Sequence, residues 1–399
     1  MRIIKENHQG ASTYLALALI PLGGLATDIY LPSLPAMTNY FQVPSSAIQL
    51  SLIVFMISCG VSQLFIGAIL DSFGRYRISL IALGIFAFAS FVIGTSPSIL
   101  LIYVMRVLQG ITVSLIIVGK RAYFVDIYTG DKLKQYTSMF SIIWATAPIV
   151  APFIGGYLQN SFGWTSNFYF LGFLAIIFLL LELFYSGESL ANYQPFNLSA
   201  ISGVYRMMLR TSDFTFGLLL IGISYSLLVV YGMASPFIIE RVFGYTPIVT
   251  GYSSLLSGAS LMVGGIISKA MIKTDLVKKV TVGITVQLLI AILMLITSFY
   301  LTNILTLIGF TLFLHMLSGF VFNNVYSYCL GRFSKNAGTA SGLTGGGVYI
   351  VSSMFSYGLI SFLTIQNQLI LAAANVCLVG SLLLIFIFFV RAKNNSRKV

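Results

Sequence analysis

Charge is the scarcest resource in this chain. Only 8% of its 399 residues are Asp, Glu, Lys or Arg, whereas 58% are hydrophobic. A soluble globule of this size carries about 25% charged residues, so a fully water-facing shell cannot be built and a soluble fold is excluded. Cysteine is scarce too: Cys59, Cys329 and Cys377 stand far apart in apolar runs, which leaves neither a disulfide framework nor a metal-ligand spacing. No glycine-rich phosphate loop, metal cluster or nucleophile–base set is present, so neither an enzyme, an ATP-driven machine nor a cofactor is expected. The alternation expected of a membrane barrel is also missing.

What is present is a succession of apolar stretches, many near the roughly 20 residues that cross about 30 Å of hydrocarbon as a helix. Spans are expected over 13–36, 47–70, 78–97, 99–122, 135–158, 166–187, 214–239, 247–271, 280–300, 304–330, 338–363 and 368–391. The expected fold class is an all-α polytopic membrane protein with twelve transmembrane helices in two pseudo-symmetric six-helix halves, residues 1–187 and 214–399. A linker, 188–213, joins them. Equal halves of this kind suggest a duplicated transporter with its site at their interface. Within the linker, Leu198, Ile201, Tyr205, Met208 and Leu209 follow helical spacing, with Arg206 and Arg210 among them. Either a short amphipathic helix on the membrane surface or a plain linker fits.

Of the 22 Lys and Arg residues, all but Arg106 and Arg241 fall at the termini, in the even-numbered loops of this map, or within three residues of a span end that adjoins one. Loops rich in Lys and Arg stay cytoplasmic, so both termini are expected in the cytoplasm, with the chain crossing a bacterial inner membrane many times. The net charge of +12 follows from that orientation; it implies attraction to anionic membrane lipids and needs no nucleic acid. Arg2 and Lys5 ahead of an apolar run suggest a signal peptide, but the run is long, contains Asp28, Pro32 and Pro35, and lacks a clear cleavage site. An uncleaved first span is expected.

That span reads "GGLATDIYLPSLPAM", 23–37, and places Asp28 in a run with no other charge. Such a carboxylate either faces a cavity or bonds structure near the outer surface. Burial favours its protonated form and a nearby cation its ionised form. The fourth span, "YVMRVLQG", supplies Arg106, with Gln109 and Gly110 about one turn on. Charges inside a membrane are costly and mark function by default, although Arg106 could snorkel outward. If the two approach one another, Asp28 is expected to carry a proton and Arg106 to tune it.

The loop "GAILDSFGRYRISL", 67–80, combines Gly67, for close helix approach, with Asp71, Gly74 at a tight turn, and the donors Arg75 and Arg77. Asp71 suits a neighbouring helix N-terminus, for which "KNAGTASGL", 335–343, is the expected source. The fifth span, "ATAPIVAPFIGGYL", carries Pro148 and Pro152 and then Gly155 and Gly156. Prolines kink a helix and small residues let another pack closely, which fits either a seal between moving halves or an ordinary kinked helix. Glu182 is expected to reach the cytoplasmic interface, and Glu240 and Arg241 to be solvated at the outer end. His315 could relay protons or be structural. Asn323 and Asn324 could bond a substrate or bridge helices. Tyr30, Phe55, Gln109, Tyr225 and Tyr231 are candidate substrate contacts, the rings as stacking surfaces.

The segments "GAILDSFGRYR", "RVLQG" and "APIVAPFIGG" resemble the signature segments of major facilitator superfamily drug:proton antiporters. "TDIYLPSLPAM", with "KRAYFVDIY" (120–128), "NAGTASGL" and "YRMMLRTSDFTFG" (205–217), is similar to the Bcr/CflA subfamily, which exports compounds such as bicyclomycin and chloramphenicol. The resemblance covers the whole chain and is strongest over 26–156. It implies proton-coupled efflux of drug-like or amphipathic small molecules by alternating access. It also implies a cytoplasmic gate built from Gly67, Asp71, Gly74, Arg75, Arg77, Arg121 and Asp126, and an antiporter helix motif at Pro148, Pro152, Gly155 and Gly156. Partners would be a small-molecule substrate, protons and membrane lipids, with the chain a monomer. Ser72 and Val125 stand where the family has basic residues, and "GGIISKAMIKTD", 264–275, loses the acid of the loop motif in the second half. Two other readings stay open: transport of an endogenous metabolite such as a siderophore or amino-acid derivative, in either direction, and a non-transporting membrane sensor or assembly partner.

Overall fold

The computed structural model describes residue 4, residues 8–333 and residues 337–396, and no β-strand occurs among them. Arg2, Lys5, Lys335, Asn336 and Lys398 therefore lie outside the described residues, as do the side chains of Leu198 and Ile201.

The first span is a chain of short pieces: α1 (Gln9–Leu19), α2 (Leu22–Asp28), a 3-10 turn (Leu31–Ser33) and α3 (Leu34–Phe41). Proline explains the interruptions. Pro21 precedes α2, Pro32 lies in the 3-10 turn and Pro35 opens α3. Each lacks the N–H that a continuous helix uses and crowds the preceding turn. One interruption follows directly on Asp28.

The chain continues through α4 (Ser45–Phe73), α5 (Tyr76–Thr95), α6 (Ile99–Ile127), α7 (Gly130–Phe162) and α8 (Thr165–Tyr185). After the linker helix α9 (Leu198–Arg210) come α10 (Ser212–Phe237), a π-helical turn (Ile238–Val242), α11 (Pro247–Ala270) and α12 (Leu276–Tyr300). The last three are α13 (Ile304–Arg332), α14 (Ala337–Leu363) and α15 (Gln368–Ser396). Taking 9–41 as one span, ten helices among the described residues are long and apolar enough to cross a membrane. The other two long ones, α7 and α11, have 33 and 24 residues, so length is not the difference. Polar side chains dilute them, as in "DKLKQYTS" of α7 and "TGYSS" of α11. The chain is a polytopic all-α membrane protein.

Two compact units divide it, Met1–Leu198 and Ser199–Val399. In the first, α4 packs along α6, α5 packs on both α6 and α8, and α2 packs on α7. In the second, α11 packs along α13, α12 on α13 and α15, and α10 touches α13, α14 and α15. Glycine permits the tightest crossings. A Cβ on Gly110 of α6 would overlap the Ser58 hydroxyl of α4, and one on Gly319 of α13 would overlap the Leu261 carbonyl of α11. Such close backbone approach is how helices associate without a hydrophobic drive between them. In α9, Met208 is buried while Arg206, Leu209 and Arg210 are exposed.

Candidate functional site

Arg106 sits early in α6 and is completely buried. Its Nη1 donates to the Ala26 carbonyl at 2.9 Å and to Gln109 Oε1 at 3.0 Å, and its Nε donates to the Ser51 carbonyl at 3.3 Å. The rings of Phe55 and Tyr30 lie 4.1 and 4.7 Å from the guanidinium carbon. A desolvated cation over an aromatic face gains about 2 kcal/mol. The contacts extend outward: Gln109 Nε2 donates to Ser90 Oγ at 2.8 Å, and the Tyr30 hydroxyl is 2.9 Å from Ser51 Oγ. One side chain thus ties α6 to α2, α4 and, through Gln109, α5. Tyr30, Phe55 and Gln109 are fully buried in this cage. Arg106 stays inside the helix bundle and does not snorkel.

Among the described residues no ion pair joins Arg106 to Asp28; the guanidinium instead takes the carbonyl of Ala26, one residue ahead of Thr27 and Asp28. Its Nη2 has no hydrogen-bond partner, and neither does the buried Oδ2 of Asp28. Arg106 is still near enough to act electrostatically on Asp28. The carboxyl ends α2, at the point where the helix is interrupted.

The proline–glycine motif packs on this interruption. A Cβ on Gly155 of α7 would overlap the Ile29 carbonyl, and one on Gly24 would overlap Ala147 and come within 3.6 Å of Pro148 Cδ. Asn167 of α8 donates to Ser33 Oγ at 2.8 Å on the far side of the interruption. Helix α7 runs unbroken through Pro148 and Pro152, and Gly156 beside Gly155 is buried.

At the other end of α4, Arg75 bridges Asp71, at 3.0 Å, and Asp126, in close contact. Ser189 of the linker also donates to Asp126, at 2.7 Å. Gly74 has φ +89°, a region that only glycine adopts without strain. Arg77 is exposed, and Arg121 is half-buried with its Nε unpartnered. Gly67 departs from expectation: within its own unit nothing lies within 4 Å of where its Cβ would stand, so it is no close-packing point there. The segment expected to meet Asp71 starts at Lys335 and Asn336, outside the described residues. The helix N-terminus that does receive a carboxylate here is that of α5. Glu188 accepts from the backbone N–H groups of Arg75 and Tyr76, each at 3.1 Å. Sequence reasoning missed Glu188; its one signal is that it is the sole acid between Glu182 and Asp213. Glu182 does not reach the interface as expected. It is fully buried and pairs with Lys120 at 2.6 Å, a lysine that the apolar reading of α6 passed over.

The second unit is organised around hydroxyls and rings. His315 is buried, with Nδ1 at 2.6 Å from Ser257 Oγ and the Tyr231 ring edge-on at 5.3 Å. The Tyr231 hydroxyl bonds Ser253. Tyr225 lies 6.3 Å from the rings of both Phe322 and Tyr349. Asn323 and Asn324 donate to carbonyls of their own helix, Gly319 at 2.9 Å and Phe320 at 2.8 Å. In the π-helical turn after α10, Arg241 is exposed as expected, whereas Glu240 is half-buried and accepts from Thr250 at 3.1 Å.

Chemically, Arg106 is a fixed buried charge held by neutral acceptors, and Asp28 is a carboxyl whose buried oxygen can gain or lose a proton without breaking a hydrogen bond. The Major Facilitator Superfamily profile matches residues 17–357. An uncharacterised MFS-type transporter of Bacillus subtilis (strain 168), YdgK, is 29% identical over 346 residues, covering 84% of this chain and 85% of that protein. A bicyclomycin resistance protein homologue of Haemophilus influenzae is 23% identical over 333 residues, covering 82% and 83%. Among solved structures, a bacterial homologue of the human lysosomal transporter Spinster superposes with TM-score 0.70 at 14% identity, covering 97% of this chain and 96% of that one, a likeness of fold. With the profile spanning most of the helices described above, the chain belongs to the Major Facilitator Superfamily and is a membrane transporter.

Proposed function

We propose that this transporter exports drug-like, amphipathic molecules across the bacterial inner membrane in exchange for protons, by alternating access of its two halves. Asp28 is the proton carrier and Arg106 the charge that tunes it. The observation that carries this reading is the buried, unpartnered Oδ2 of Asp28 at an interrupted helix, with Arg106 nearby but not in an ion pair. A salt-bridged carboxylate would be locked in its ionised form; an unbonded one near a cation is poised between two states. The name of the Haemophilus relative supports a drug-like cargo. Tyr225, Tyr231 and Asn323 offer rings and an amide to the substrate, and Tyr30, Phe55 and Gln109 connect the first unit's aromatics to the tuning charge. Asp71, Arg75 and Asp126 form a cytoplasmic gate, with Gly67, Gly74, Arg77 and Arg121 around it. Both termini lie in the cytoplasm, residues 188–213 link halves 1–187 and 214–399, and the working unit is a monomer in contact with membrane lipids.

The test is proton movement in everted membrane vesicles. After the lumen is acidified, antibiotics, dyes and siderophores are added and lumenal pH is followed. Wild type is expected to release protons on addition of a substrate, and Asp28→Asn at equal abundance to release none. Release by Asp28→Asn equal to wild type removes the carrier role from Asp28 and directs the search to His315. A response to siderophores alone favours the endogenous-metabolite reading.

A further inference from the structure

The linker is fastened to the first unit before it reaches α9. Residues 186–194 form no helix, yet they bond to four helices in turn. Ser12 of α1 donates to Ser186 Oγ at 3.2 Å. Glu188, only 8% exposed, accepts at 3.1 Å from three N–H groups: those of Arg75 and Tyr76 at the start of α5, and that of Leu190 in its own segment. Ser189 donates at 2.7 Å to Asp126 Oδ2 on α6, the same oxygen that Arg75 takes. The Gln194 N–H donates to the Asp71 carbonyl on α4 at 2.9 Å.

These bonds close a particular gap. Helix α4 ends at Phe73 and α5 opens at Tyr76, with Gly74 turning the chain between them. Helix ends leave backbone groups without partners in their own ladder, carbonyls on the α4 side and N–H groups on the α5 side. The N-cap of α5, Arg75, makes no side-chain cap bond. Glu188 supplies the missing acceptor, with the negative charge that a helix start favours, and Gln194 supplies a donor to α4. One segment thus completes both sides of the turn that carries Asp71 and Arg75. Apolar burial adds little to its hold, because residues 191–197 are exposed. Ordering an irregular segment costs backbone entropy, and a segment held by a few polar contacts opens more readily than packed helices do.

We propose that residues 186–194 are a releasable strap on the gate, with Glu188 and Ser189 as positioning residues. Glu188 fixes the turn from which Arg75 projects, and Ser189 fixes the Asp126 oxygen that Arg75 meets. The part in gating rests on the export reading above; the fastening does not. While the strap is fastened, Asp71, Arg75 and Asp126 hold the arrangement described. When it lifts, Asp126 loses one of its two donors and the start of α5 loses its acceptor, so the contacts of Arg75 can rearrange. Three residues, 195–197, separate the strap from α9. They extend to at most about 11 Å, too little slack to absorb a large displacement of that helix, so such a displacement pulls on the strap through the chain itself.

The test is amide hydrogen exchange of the full-length protein in detergent micelles, read beside substrate transport in vesicles at equal abundance. In wild type the N–H groups of Arg75, Tyr76, Leu190 and Gln194 are expected to exchange about tenfold more slowly than their intrinsic rates, yet faster than amides in the middle of α5. Glu188→Ala should speed all four by about tenfold, while Asn192→Ala, exposed in the same segment, leaves them unchanged. Ser189→Ala should cut transport about fivefold at an unchanged unfolding midpoint, and Ser189→Thr, which keeps the hydroxyl, should restore at least half of the loss. Wild-type exchange at intrinsic rates, or protection untouched by Glu188→Ala, rejects the strap. Transport by Ser189→Ala equal to wild type, or an equal loss in Ser189→Thr, rejects the positioning role. Should Glu188→Ala fail to fold, the wild-type rates of Leu190 and Gln194 decide: slowed exchange supports the strap and intrinsic exchange rejects it. If wild type moves no compound, the export reading fails while exchange still decides the strap; a rejected strap leaves export standing.

Discussion

The two units share packing and differ in charge. Each closes its tightest helix pair with glycine, α4 on α6 at Gly110 and α11 on α13 at Gly264 and Gly319. Each also ties neighbouring helices with a glutamine–serine bond of 2.8 Å: Gln109 of α6 to Ser90 of α5 in the first, Gln287 of α12 to Ser318 of α13 in the second. The amide and the hydroxyl have exchanged helices, yet the tie has the same length. The first unit then buries a guanidinium and one oxygen of a nearby carboxyl among its helices, where the second buries an imidazole between a hydroxyl and a ring. Backbone approach is set by steric fit, which either unit achieves with glycine. A permanent charge in a membrane needs a cage of acceptors and rings, and the one around Arg106 was built in the first unit. The caged charge is therefore a property of one unit, whereas close glycine packing is common to both.

The sharpest way to break that comparison is to replace the buried polar group on each side. Arg106→Gln leaves the carbonyls of Ala26 and Ser51 without their charged donor and empties the space between two rings. Hydrogen bonds to charged groups contribute about 1.5–3 kcal/mol each, so transport is expected to fall by about a hundredfold and the folded fraction to drop. Arg106→Lys keeps the charge but not the planar fork, and should lose about tenfold. His315→Gln keeps a polar partner for Ser257 and should stay within about twofold of wild type, because no charge is lost. Vesicle transport normalised to protein abundance reads all three. A His315→Gln defect as deep as that of Arg106→Gln would show that both halves carry the coupling.

A smaller effect tests the shared part. Gly110→Val and Gly319→Val each place a side chain into a facing backbone, and Gly155→Val does so at the Ile29 carbonyl. Overpacking costs about 1–3 kcal/mol, so each should lower the detergent unfolding midpoint by roughly 5 °C. Gly67→Ala meets open space within its own unit and should leave the midpoint unchanged or slightly raised, as alanine favours helix over glycine. A loss at only one of Gly110 and Gly319 would mean that the two packed pairs are not mechanically equivalent.

These differences explain what could be read from the chain alone. Apolar runs of membrane length identify themselves, and so do the helices; the first span, expected unbroken over 13–36, is instead interrupted around Pro21, Pro32 and Pro35, with a helix stopping at Asp28. Arg106 stood out because a charge in an apolar run has few explanations. Its partners did not, because carbonyls of Ala26 and Ser51 carry no sequence signal. Lys120 escaped for a related reason: next to Arg121 at a helix end it reads as an ordinary basic loop, and only the fold brings Glu182 to it from 62 positions away. Glu188 sits in a linker, where an acid looks solvated until the N-terminus of α5 is known to lie above it. Patterns local in sequence were legible; pairings made by helices meeting in space were not.

The smallest expected effects belong to the charged ends of the units. Asp71 has 45% of its side chain exposed, so its pair with Arg75 is worth well under about 1 kcal/mol and is screened by salt. Asp71→Asn should leave the unfolding midpoint within about 1 °C of wild type. Glu188→Gln keeps an acceptor for the Arg75 and Tyr76 N–H groups but removes the negative charge at the helix terminus, a loss of about 0.3–1 kcal/mol, and should lower it slightly more. Arg332→Gln in the second unit takes the guanidinium away from the buried Asp213, and should exceed both. Transport measured beside these midpoints separates two roles for the first-unit cluster. If Asp71→Asn cuts transport severalfold at an unchanged midpoint, the loop acts on the barrier between states, because a pair too weak to stabilise one conformation can still be formed in one and absent in another. If transport and midpoint are both untouched, the cluster only anchors the linker through Glu188 and Ser189, and the gate must be sought elsewhere in the chain.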